Sequence, residues 1–357
     1  MTLNLPLFYF SYFVLVFVLS ILMNSLFLKF SRTLGIRKSD ENIIRWSDLH
    51  KPALGGITFF ITFLLSLIIY SLFFEATNFL LHSETLGLLA ACTIAFLMGL
   101  ADDAYDTNPI LKFSAQVFCG IILIYSGIYV QLFQNIYINY LITMLWVVGI
   151  MNAINILDNM DAISSVVSLN VMVTILCLLI IERHPDSVFF TLILGTASAI
   201  SAFLLFNWFP SKMYMGDTGT QFLGVFMAAV SILFLWGTTP EPVLPATKHI
   251  LSVLLTFALP IIDTTVVFIN RILKGTSPFV GGKDHTTHHL FYLGINEPKI
   301  AVIYSIYSGI SLLCVVFINK YIQNWSALYF SIFALYFLLS FITFFIITKI
   351  KKKNHAV

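Results

Sequence analysis

About eleven apolar runs, most of them close to 20 residues long, divide this 357-residue chain. A helix of about 20 apolar residues crosses the hydrocarbon core of a bilayer, so these runs can each be read as a membrane span. The composition agrees, since 59% of the residues are hydrophobic and only 10% are charged, which is far from the balance of a water-soluble domain. We therefore predict an all-α, polytopic integral membrane protein.

The third and fifth runs are rather short, so about eleven spans are expected and ten is the alternative. No separate soluble domain, clear repeat or low-complexity tract interrupts them, and residues 1–357 are expected to form a single transmembrane domain. The predicted spans are residues 8–29, 53–74, 86–101, 113–130, 137–151, 163–181, 188–206, 219–236, 250–270, 300–318 and 326–348.

Basic residues set the expected orientation, because loops rich in Lys and Arg stay in the cytosol. With the basic first loop placed inside, all but three of the 19 basic residues fall on the cytosolic side. The exceptions are Arg183, Lys248 and Lys320. We therefore expect the N-terminus outside and the C-terminus in the cytosol. The cytosolic loops expected to build the active site are 30–52, 102–112, 152–162, 207–218 and 271–299.

Five polar clusters interrupt the apolar sequence, and the expected topology puts all of them on the cytosolic side. They are HKPALGG near residue 50, LADDAYD near 103, NAINILDNMDA near 156, MYMGDTG near 216 and GGKDHTTHHL near 285. Ionised groups so close to hydrocarbon are costly unless they are paired or hydrated. The clusters are therefore candidates for a functional site.

The cluster around Asp102 and Asp103 directly follows an apolar run, so its acids lie at a helix end. On a continuing helix Asp102 and Asp106 would share a face, where like charges repel. A cation would relieve this repulsion, and Mg²⁺ takes one or two protein carboxylates while phosphate oxygens and water complete its shell. The alternative is a solvated acidic loop, which this cluster taken alone would favour.

A second pair of acids, Asp158 and Asp161, ends another apolar run beside Asn152, Asn155 and Asn159. Amide side chains both donate and accept hydrogen bonds, so such a set can read the edge of a base or hold hydroxyl groups. Helix capping by Asn and Asp is the alternative. It accounts for one or two of these residues more readily than for all five.

Asp217 lies between two glycines immediately before a new apolar run, with Asn207 and Tyr214 on the flank of the preceding loop. The glycines allow close backbone approach, the carboxylate could ligate a metal, and the free N–H groups of a helix start could face a phosphate. A simple helix cap is the alternative, and from this segment alone it is the stronger one.

The last cluster places His285, His288 and His289 next to Asp284. Three histidines could indicate zinc, but the cysteines are remote and the acids elsewhere suit a hard cation. Phosphate contacts or acid–base chemistry are therefore the preferred interpretation, with a polar loop carrying incidental histidines as the alternative.

Asp263 lies within an apolar run eight residues before Arg271, about 12 Å below the cytosolic helix end at 1.5 Å per residue. It could be a packing partner for a Thr or Asn on another helix, or it could line the wall of the active-site cleft. The sequence favours neither interpretation.

Taken together and in this order, the clusters resemble one family, the polyprenyl-phosphate N-acetylhexosamine-1-phosphate transferases of glycosyltransferase family 4. The resemblance runs from about residue 48 to about residue 295. Pro52-Ala-Leu-Gly55-Gly56 resembles the Pro-x-x-Gly-Gly signature, and 152–162 resembles Asn-x-x-Asn-x-x-Asp-Gly-x-Asp-Gly, with Asn159 and Ala162 in place of the glycines. The histidine loop lacks the triple His followed by Phe-Glu of the peptidoglycan branch, which favours simpler N-acetylhexosamine donors.

The resemblance implies transfer of an N-acetylhexosamine 1-phosphate, with GlcNAc-1-phosphate as the default, from a UDP-sugar to undecaprenyl phosphate. UMP would be released in this first membrane step of lipopolysaccharide or teichoic acid synthesis. It further implies Mg²⁺ as cofactor, with Mn²⁺ as a substitute, and a site on the cytosolic face of the bacterial inner membrane. A homodimer is common in the family, and no nucleic-acid partner is expected.

The same resemblance distributes roles among the residues. The implied catalytic residues are Asp102, Asp103, His285, His288 and His289, and the implied metal ligands are Asp217, Asp102 and Asp103. The implied substrate-binding residues are Lys51, Lys112, Asn152, Asn155, Asp158, Asp161, Asn207, Tyr214 and Asp284.

Two alternatives to this function stay open from the sequence. One is a phospho-MurNAc-pentapeptide transferase of the same family. The other is a polytopic transporter, although transporters usually place their sites near the bilayer midplane and often contain inverted repeats. Here the polar groups gather at one face and the two halves do not resemble each other.

Overall fold

A computed structural model of the protein describes residues 4–31, 51–74, 82–182, 187–237, 242–277 and 281–350. Within these ranges the chain forms 13 helices and no strand. The helices are α1 Leu5–Phe30, α2 Gly55–Phe73, α3 Ser83–Tyr105, α4 Pro109–Tyr125, α5 Ile136–Leu157, α6 Ile163–Ile181, α7 Val188–Asn207, α8 Gly216–Phe234, α9 Val243–Thr256, α10 Ala258–Leu273, α11 Thr286–Tyr292, α12 Glu297–Tyr321 and α13 Ala327–Lys349.

In this part of the chain, nine helices are long and apolar enough to cross a membrane. Helices α9 and α10 are bent by 77° at their junction and count as a tenth span if they are taken together. Helix α4, with 17 residues, is apolar but shorter. Each predicted apolar run therefore contains a helix or a helix pair, and the all-α, polytopic membrane fold is confirmed.

The two runs predicted to be short are in fact full-length helices. Helix α3 has 23 residues and α5 has 22, because each continues into the polar cluster that follows its apolar run. Asp102 and Asp103 thus lie on the last turn of α3, and Asn152 and Asn155 on the last turns of α5. The predicted helices end too early, because only apolar residues were counted. The polar residues left out of the prediction are those of the clusters at the ends of α3 and α5.

Helix boundaries in this region follow local chemistry. Asn108 and Asn135 cap α4 and α5 by accepting hydrogen bonds from backbone N–H groups of the first turn, and Pro109 occupies the first position of α4. Helix α3 ends where Asp106 adopts a left-handed conformation with φ of 55°. These signals fix where the connection between α3 and α4 begins and ends.

Helix α8 is the centre of the bundle and packs against α2, α3, α5 and α6. Small residues let its neighbours approach closely, as is usual for helices in membranes. A Cβ atom on Gly99 of α3 would lie 2.3 Å from the carbonyl oxygen of Asp217, and one on Gly56 of α2 would lie 2.2 Å from the backbone nitrogen of Gly219. This close packing brings the acidic end of α3 against the first turn of α8.

The predicted loop 30–52 is described only at its edges, so His50 and residues 32–49 lie outside the described ranges. At the far edge, residues 51–56 run beside residues 214 and 215. Tyr214 N donates to the carbonyl of Pro52 at 3.0 Å, and Gly55 N donates to the carbonyl of Tyr214 at 3.1 Å. The Pro-x-x-Gly-Gly segment is thereby joined to the chain that leads into α8.

Candidate active site

The ends of α3, α4 and α8 bring two acids and one lysine together. Lys112 Nζ lies 2.9 Å from Asp102 Oδ2 and 2.6 Å from Asp217 Oδ2. The three side chains are partly exposed, with Asp217 at 29% and Lys112 at 18%. Two carboxylates share one ammonium, so the cluster keeps an excess of negative charge next to accessible space. We call this cluster the acidic pair.

Further hydrogen bonds orient both carboxylates of the acidic pair. Asp102 Oδ1 accepts from the backbone N–H of Thr107 at 3.0 Å and from its hydroxyl. Asp217 Oδ1 accepts from the amide of Asn155, which also donates to Thr220 Oγ1 at 2.9 Å. Asp102 is therefore oriented by the connection between α3 and α4, and Asp217 is oriented by α5.

Asp103 has a different position from its neighbour Asp102. Its two carboxylate oxygens accept from the backbone N–H groups of Asp217 and Thr218, both at 2.9 Å, and from the Thr218 hydroxyl at 2.6 Å. Negative charge at a helix N-terminus is favourable, because the first N–H groups have no partner within the helix. Asp103 therefore caps α8 from another helix and holds Asp217 in place.

The donor set at the acidic pair fits a magnesium ion better than a metal with an all-protein shell. Among the residues whose positions are described, no group of three or more His, Cys, Asp or Glu side chains could hold a metal. Mg²⁺ usually takes only one or two carboxylates and completes its octahedral shell with water and substrate phosphates. Asp217 and Asp102 can supply those two carboxylates, and the excess negative charge favours a cation there.

The motif at the end of α5 separates into two environments. Asn155 joins the acidic pair, as described above. Asn152 instead exchanges hydrogen bonds with Gln116 of α4 at 2.7 and 3.3 Å, and Gln116 also donates to Gln221 of α8 at 3.0 Å. Asn152 therefore belongs to a network of amide side chains that ties α4, α5 and α8 to one another.

Asp158 follows α5 and is partly buried close to other acids. Burial raises the pKa of Asp158, and the charges of Asp217, Asp103 and Asp161 raise it further, to about 8. In the absence of a cation, this carboxyl group is therefore mostly protonated at neutral pH. A bound cation would oppose that shift, because it favours the ionised form.

A second polar group joins residue 51 to the α5–α6 and α7–α8 connections. Asp161 accepts from the backbone N–H of Ser211 at 2.8 Å and from its hydroxyl at 2.7 Å. Lys51 Nζ lies 2.8 Å from Ser211 Oγ, 3.4 Å from Asp161 Oδ2 and 5.1 Å from the centre of the Tyr214 ring. The predicted substrate-binding residues Lys51, Asp161 and Tyr214 are thus neighbours.

Asn207 is buried, with 2% exposure, and supports the backbone. Its oxygen accepts from the N–H of Ala162 at 3.1 Å and from Ser165 Oγ at 2.7 Å, while its amide donates to the carbonyl of Met213 at 3.1 Å. Ala162 has φ of 66°, a left-handed conformation that favours glycine. A hydrogen bond donated to Asn207 thus holds Ala162, which stands where the motif that this segment resembles has a glycine.

The histidine loop begins with a paired carboxylate. Arg271 contacts Asp284 through two hydrogen bonds of 2.9 and 2.7 Å. Although burial raises the pKa of Asp284, its hydrogen bonds to Arg271 and the charge of that guanidinium outweigh this effect and lower the pKa below its usual value. Asp284, predicted to bind substrate, is therefore an ionised partner of Arg271 in this structure.

The remaining residues of this loop pack against α10, α12 and the α5–α6 connection. Asp263 lies 2.9 Å from His285 Nδ1, and Thr287 Oγ1 donates to Asn159 Oδ1 at 2.6 Å. Burial lowers the pKa of His288, and the nearby His285 lowers it further, to about 3, so His288 is a neutral ring at neutral pH. His289 packs edge-on against Tyr292, with ring centroids 5.8 Å apart.

Several side chains in these contacts were not predicted from the sequence. Hydroxyl groups hold the acids in three places, at Thr107, Thr218 and Ser211, and each lies near a motif that the sequence did identify. Their proximity to acidic residues at helix ends was the available signal, since Ser and Thr are common partners there. Arg271 gave no such signal, because its pairing with Asp284 depends on how the chain returns after α10.

Comparison with known proteins agrees with this geometry. The model of glycosyl transferase family 4 matches residues 85–235, which contain the whole acidic pair. The chain is 26% identical over 269 residues to a protein of Bacillus subtilis named probable undecaprenyl-phosphate N-acetylglucosaminyl 1-phosphate transferase, covering 72% of this chain and 71% of that protein.

Two further relatives differ in the substrate that their names state. A decaprenyl-phosphate N-acetylglucosaminephosphotransferase of Mycobacterium leprae is 24% identical over 301 residues, covering 74% of this chain and 73% of the relative. A phospho-N-acetylmuramoyl-pentapeptide-transferase of Streptococcus agalactiae is 27% identical over 244 residues, covering 61% of this chain and 71% of the relative. The names of the Bacillus subtilis and Mycobacterium leprae relatives both state N-acetylglucosamine and differ in the polyprenyl phosphate, whereas the name of the Streptococcus agalactiae relative states a phospho-N-acetylmuramoyl-pentapeptide.

Proposed function

Because the chain belongs to glycosyl transferase family 4 and is a membrane-embedded sugar-1-phosphate transferase, we propose that it transfers N-acetylglucosamine 1-phosphate from UDP-N-acetylglucosamine to undecaprenyl phosphate. The products are undecaprenyl-pyrophosphate-N-acetylglucosamine and UMP. The observation that carries this proposal is the acidic pair, in which Asp102 and Asp217 share Lys112 at the ends of membrane helices.

The place of the acidic pair suits the two substrates. A UDP-sugar is soluble in water, whereas a polyprenyl phosphate cannot withdraw its tail from the bilayer. A site that serves both must lie at the membrane surface. The acidic pair lies on the last turn of α3 and on the first turns of α4 and α8. The distribution of basic residues predicts that this surface is the cytosolic one.

The reaction requires positioning and charge neutralisation more than covalent chemistry from the protein. An oxygen of the lipid phosphate forms a bond to the β-phosphorus of the donor. The bond from that phosphorus to the oxygen bridging to the α-phosphate breaks, and UMP leaves with the electron pair. The phosphate of the lipid is largely doubly ionised at pH 7, since its second pKa is about 6, so the attacking oxygen already carries the electron pair that forms the new bond.

Mg²⁺, held by Asp217 and Asp102, would supply a positive charge against the donor diphosphate and the departing UMP. Lys112 stays beside both carboxylates and contributes a second positive charge toward the phosphates. Asn155 and the cap provided by Asp103 keep Asp217 in place. These residues act by holding and orienting charge, which is the main requirement of this chemistry.

The donor nucleotide is assigned to the neighbouring group of Lys51, Asp161 and Tyr214. The Tyr214 ring offers a face on which a uracil can stack, and Lys51 and Asp161 offer a donor and an acceptor for its polar edge. Asp161 and Ser211 join two chain connections here, so the ring is presented by a supported backbone.

A transfer assay with the purified protein tests the proposal. The protein is reconstituted with undecaprenyl phosphate and Mg²⁺, and it is offered UDP-N-acetylglucosamine, UDP-N-acetylgalactosamine or UDP-MurNAc-pentapeptide, each labelled in the sugar. Label entering the lipid from UDP-N-acetylglucosamine with equimolar UMP release, and loss of both after chelation by EDTA, is the expected result.

Two other outcomes contradict the proposal in different ways. Transfer from UDP-MurNAc-pentapeptide alone would assign the chain to the activity named for the Streptococcus agalactiae relative. Full transfer in the presence of EDTA would mean that the reaction needs no divalent ion and would contradict the proposed magnesium site. In sealed vesicles, label that crosses the membrane as intact UDP-sugar would indicate a carrier.

A further inference from the structure

Three amide side chains on α4, α5 and α8 contact one another about one helical turn from the acidic pair. We call this group the amide trio: Gln116, Asn152 and Gln221. Gln116 follows Lys112 by four residues on α4, and Gln221 follows Asp217 by four residues on α8. Residues at this spacing lie on the same face of a helix, about 6 Å apart along its axis. The proposed reaction assigns no task to Gln116 or Gln221.

Two hydrogen bonds between side chains connect α4 to α8 in the described part of the chain. The first joins Lys112 Nζ to Asp217 Oδ2 at 2.6 Å, and the second runs from Gln116 Nε2 to Gln221 Oε1 at 3.0 Å. The remaining packing of α4 is mainly against α3 and α5. The place of Lys112 relative to α8 therefore depends on these two contacts.

The two contacts differ in their exposure to water. Lys112 is 18% exposed and Asp217 is 29% exposed, so water and ions compete for their charges. Gln116 is 1% exposed and Gln221 is 0% exposed, so water does not take over their hydrogen bond when it opens. An amide left unpaired in such a place costs free energy. The buried bond therefore persists and holds α4 against α8 while the exposed contact exchanges with solvent and substrate.

The backbone carbonyl of Val148 fixes how the amide trio is oriented. Asn152 Nδ2 donates to this carbonyl at 2.8 Å, so the nitrogen of the amide must lie on that side. The same nitrogen donates to Gln116 Oε1 at 2.7 Å, which turns Gln116 Nε2 toward Gln221 Oε1. Gln221 Nε2 is buried and has no hydrogen-bond partner among the described residues. Within these ranges, Gln221 thus accepts one hydrogen bond and carries a donor that the protein does not use.

We infer that Gln116 and Gln221 are positioning residues for the transfer reaction, which hold α4 against α8 and thereby keep the Lys112 ammonium between the two carboxylates of the acidic pair. This inference rests on the proposed function, in which Lys112 contributes positive charge toward the phosphates. Both amides act through Lys112 and do not themselves touch the substrate. A small displacement of a charged group is costly here, because the reaction depends on where charge is held.

Gln221→Met separates positioning from stability. The variant removes the bond to Gln116 together with the unpartnered donor, and Met fills a similar volume, so the unfolding temperature should stay close to that of the wild type. The transfer rate should nevertheless fall about 10- to 100-fold, as for other small misplacements in an active site. Gln116→Met breaks the same bond but leaves groups of Asn152 and Gln221 unpaired, so it should lower both the rate and the unfolding temperature.

Chemical labelling of Lys112 reports on its ammonium without turnover. The full-length protein in Mg²⁺-free detergent is treated briefly with an amine-reactive ester, and mass spectrometry gives the acylated fraction of each lysine. An ammonium between two carboxylates resists loss of its proton and reacts slowly, because only the neutral amine attacks the ester.

Gln221→Met and Gln116→Met should both label Lys112 about two- to fivefold faster, the order expected for loss of a partly exposed ion pair. Exposed Lys299 should react equally in all proteins and serves as the internal reference. Unchanged labelling of Lys112 in both variants overturns the inference. Because the two variants break the same bond from opposite sides, the test stands if only one of them folds.

Ser231→Ala is the matched control. Trp146 Nε1 donates to Ser231 Oγ at 2.9 Å, so this variant also removes a hydrogen bond between α8 and a neighbouring helix. Ser231 is fully buried and lies near the end of α8 that is remote from Asp217. The transfer rate and the labelling of Lys112 should both stay at wild-type values. Equal changes in Ser231→Ala and Gln221→Met would indicate a general loosening of the bundle and contradict the inference.

A double-mutant cycle on the transfer rate tests whether the effect passes through Lys112. If it does, Gln221→Met costs less than about twofold when Lys112→Met is already present, since residues that act as a unit are not additive. Equal losses in both backgrounds contradict the inference.

The labelling and the transfer assay fail independently. A protein in which Gln221→Met speeds the labelling of Lys112, but which transfers none of the offered sugars, contradicts the proposed function and leaves the hold of Gln221 on Lys112 intact. A protein that transfers sugar phosphate normally, with a rate insensitive to Gln221→Met, contradicts the positioning role alone.

Discussion

Two groups of acids differ in how far their negative charge is satisfied inside the protein. Asp102 and Asp217 share a single ammonium, and the Asp217 side chain is 29% exposed. The Asp263 side chain is 2% exposed, and all the hydrogens that it accepts come from His285 and Thr286. An excess of negative charge beside accessible space can attract a cation and its phosphates, whereas a charge already satisfied inside the protein can only orient its partners.

The comparison explains why intramembrane acids must be judged by their neighbours. Asp103 is the next residue of α3 after Asp102 and carries the same carboxyl group, yet its two oxygens accept hydrogen bonds from Asp217 and Thr218. Depth in the membrane does not distinguish these two residues. What distinguishes them is the number of hydrogen bonds that each carboxylate already accepts from the protein, because this number sets how much negative charge is left for a substrate.

The largest effect is expected at Asp217. Asp217→Asn keeps the shape of the side chain but removes half of the carboxylate pair, so the transfer rate should fall at least about 1,000-fold, an order typical for loss of one preorganised charge in such a site. Transfer of labelled sugar phosphate measures this. Asp106→Asn is the control, because Asp106 is exposed and its left-handed conformation suits Asn as well as Asp; near-normal turnover in Asp217→Asn would remove this residue from the site.

Lys112→Met should separate charge balance from metal binding. Without the ammonium, Asp102 and Asp217 face each other unscreened, and we expect about 2 kcal/mol lower stability in Mg²⁺-free buffer, as for other buried groups left without a partner. Saturating Mg²⁺ should restore much of this loss, because a cation replaces the missing charge. Thermal unfolding in detergent, with and without Mg²⁺, measures the difference, and a deficit independent of Mg²⁺ would argue against a shared cation site.

Asp103→Asn should affect stability more than chemistry. The variant weakens the cap on α8, which typically costs about 1 to 2 kcal/mol, and the expected result is a lower unfolding temperature. The rate of the protein that remains folded should fall far less than in Asp217→Asn. Should the two variants lose turnover equally with no change in unfolding temperature, Asp103 would belong with the acidic pair.

Asp158 predicts a dependence of stability on pH in the absence of divalent ions. Its pKa is raised to about 8 in the folded protein and is about 3.9 in an unfolded chain. The folded state therefore binds more protons in that window, and stability is greatest below it and falls as pH rises from about 4 to about 8. Unfolding temperatures measured across this range should decline less steeply for Asp158→Asn, and an unchanged slope would contradict the assignment.

The smallest expected effect is a gain at Ala162. Its φ of 66° places a Cβ in a conformation that costs about 1 kcal/mol for residues other than glycine. Ala162→Gly should therefore stabilise the protein by roughly 0.5 kcal/mol, once the greater freedom of glycine in the unfolded chain is subtracted. Ala202→Gly, in the middle of α7 and buried, should instead destabilise it, and a loss of stability in both variants would contradict this reasoning.

Local sequence was sufficient for the helices and for the order of the polar clusters. Spans follow from apolar length, because a bilayer tolerates few other arrangements, and the caps at Asn108 and Asn135 are local contacts. The family followed from five motifs in order. The run lengths of α3 and α5 were underestimated, since their last turns carry the polar residues of the site.

The direction of each polar side chain was decided by tertiary structure alone. Successive residues on a helix point about 100° apart, so Asp102 and Asp103 face different directions. The sequence does not show which of the two faces α8, because this depends on how α8 packs against α3. The close contact at Gly99 brought the first turn of α8 to Asp103, leaving Asp102 to meet Lys112 and Asp217. The sequence thus determined which polar residues lie at helix ends, while the packing of the helices decided which charges are satisfied within the protein and which remain accessible.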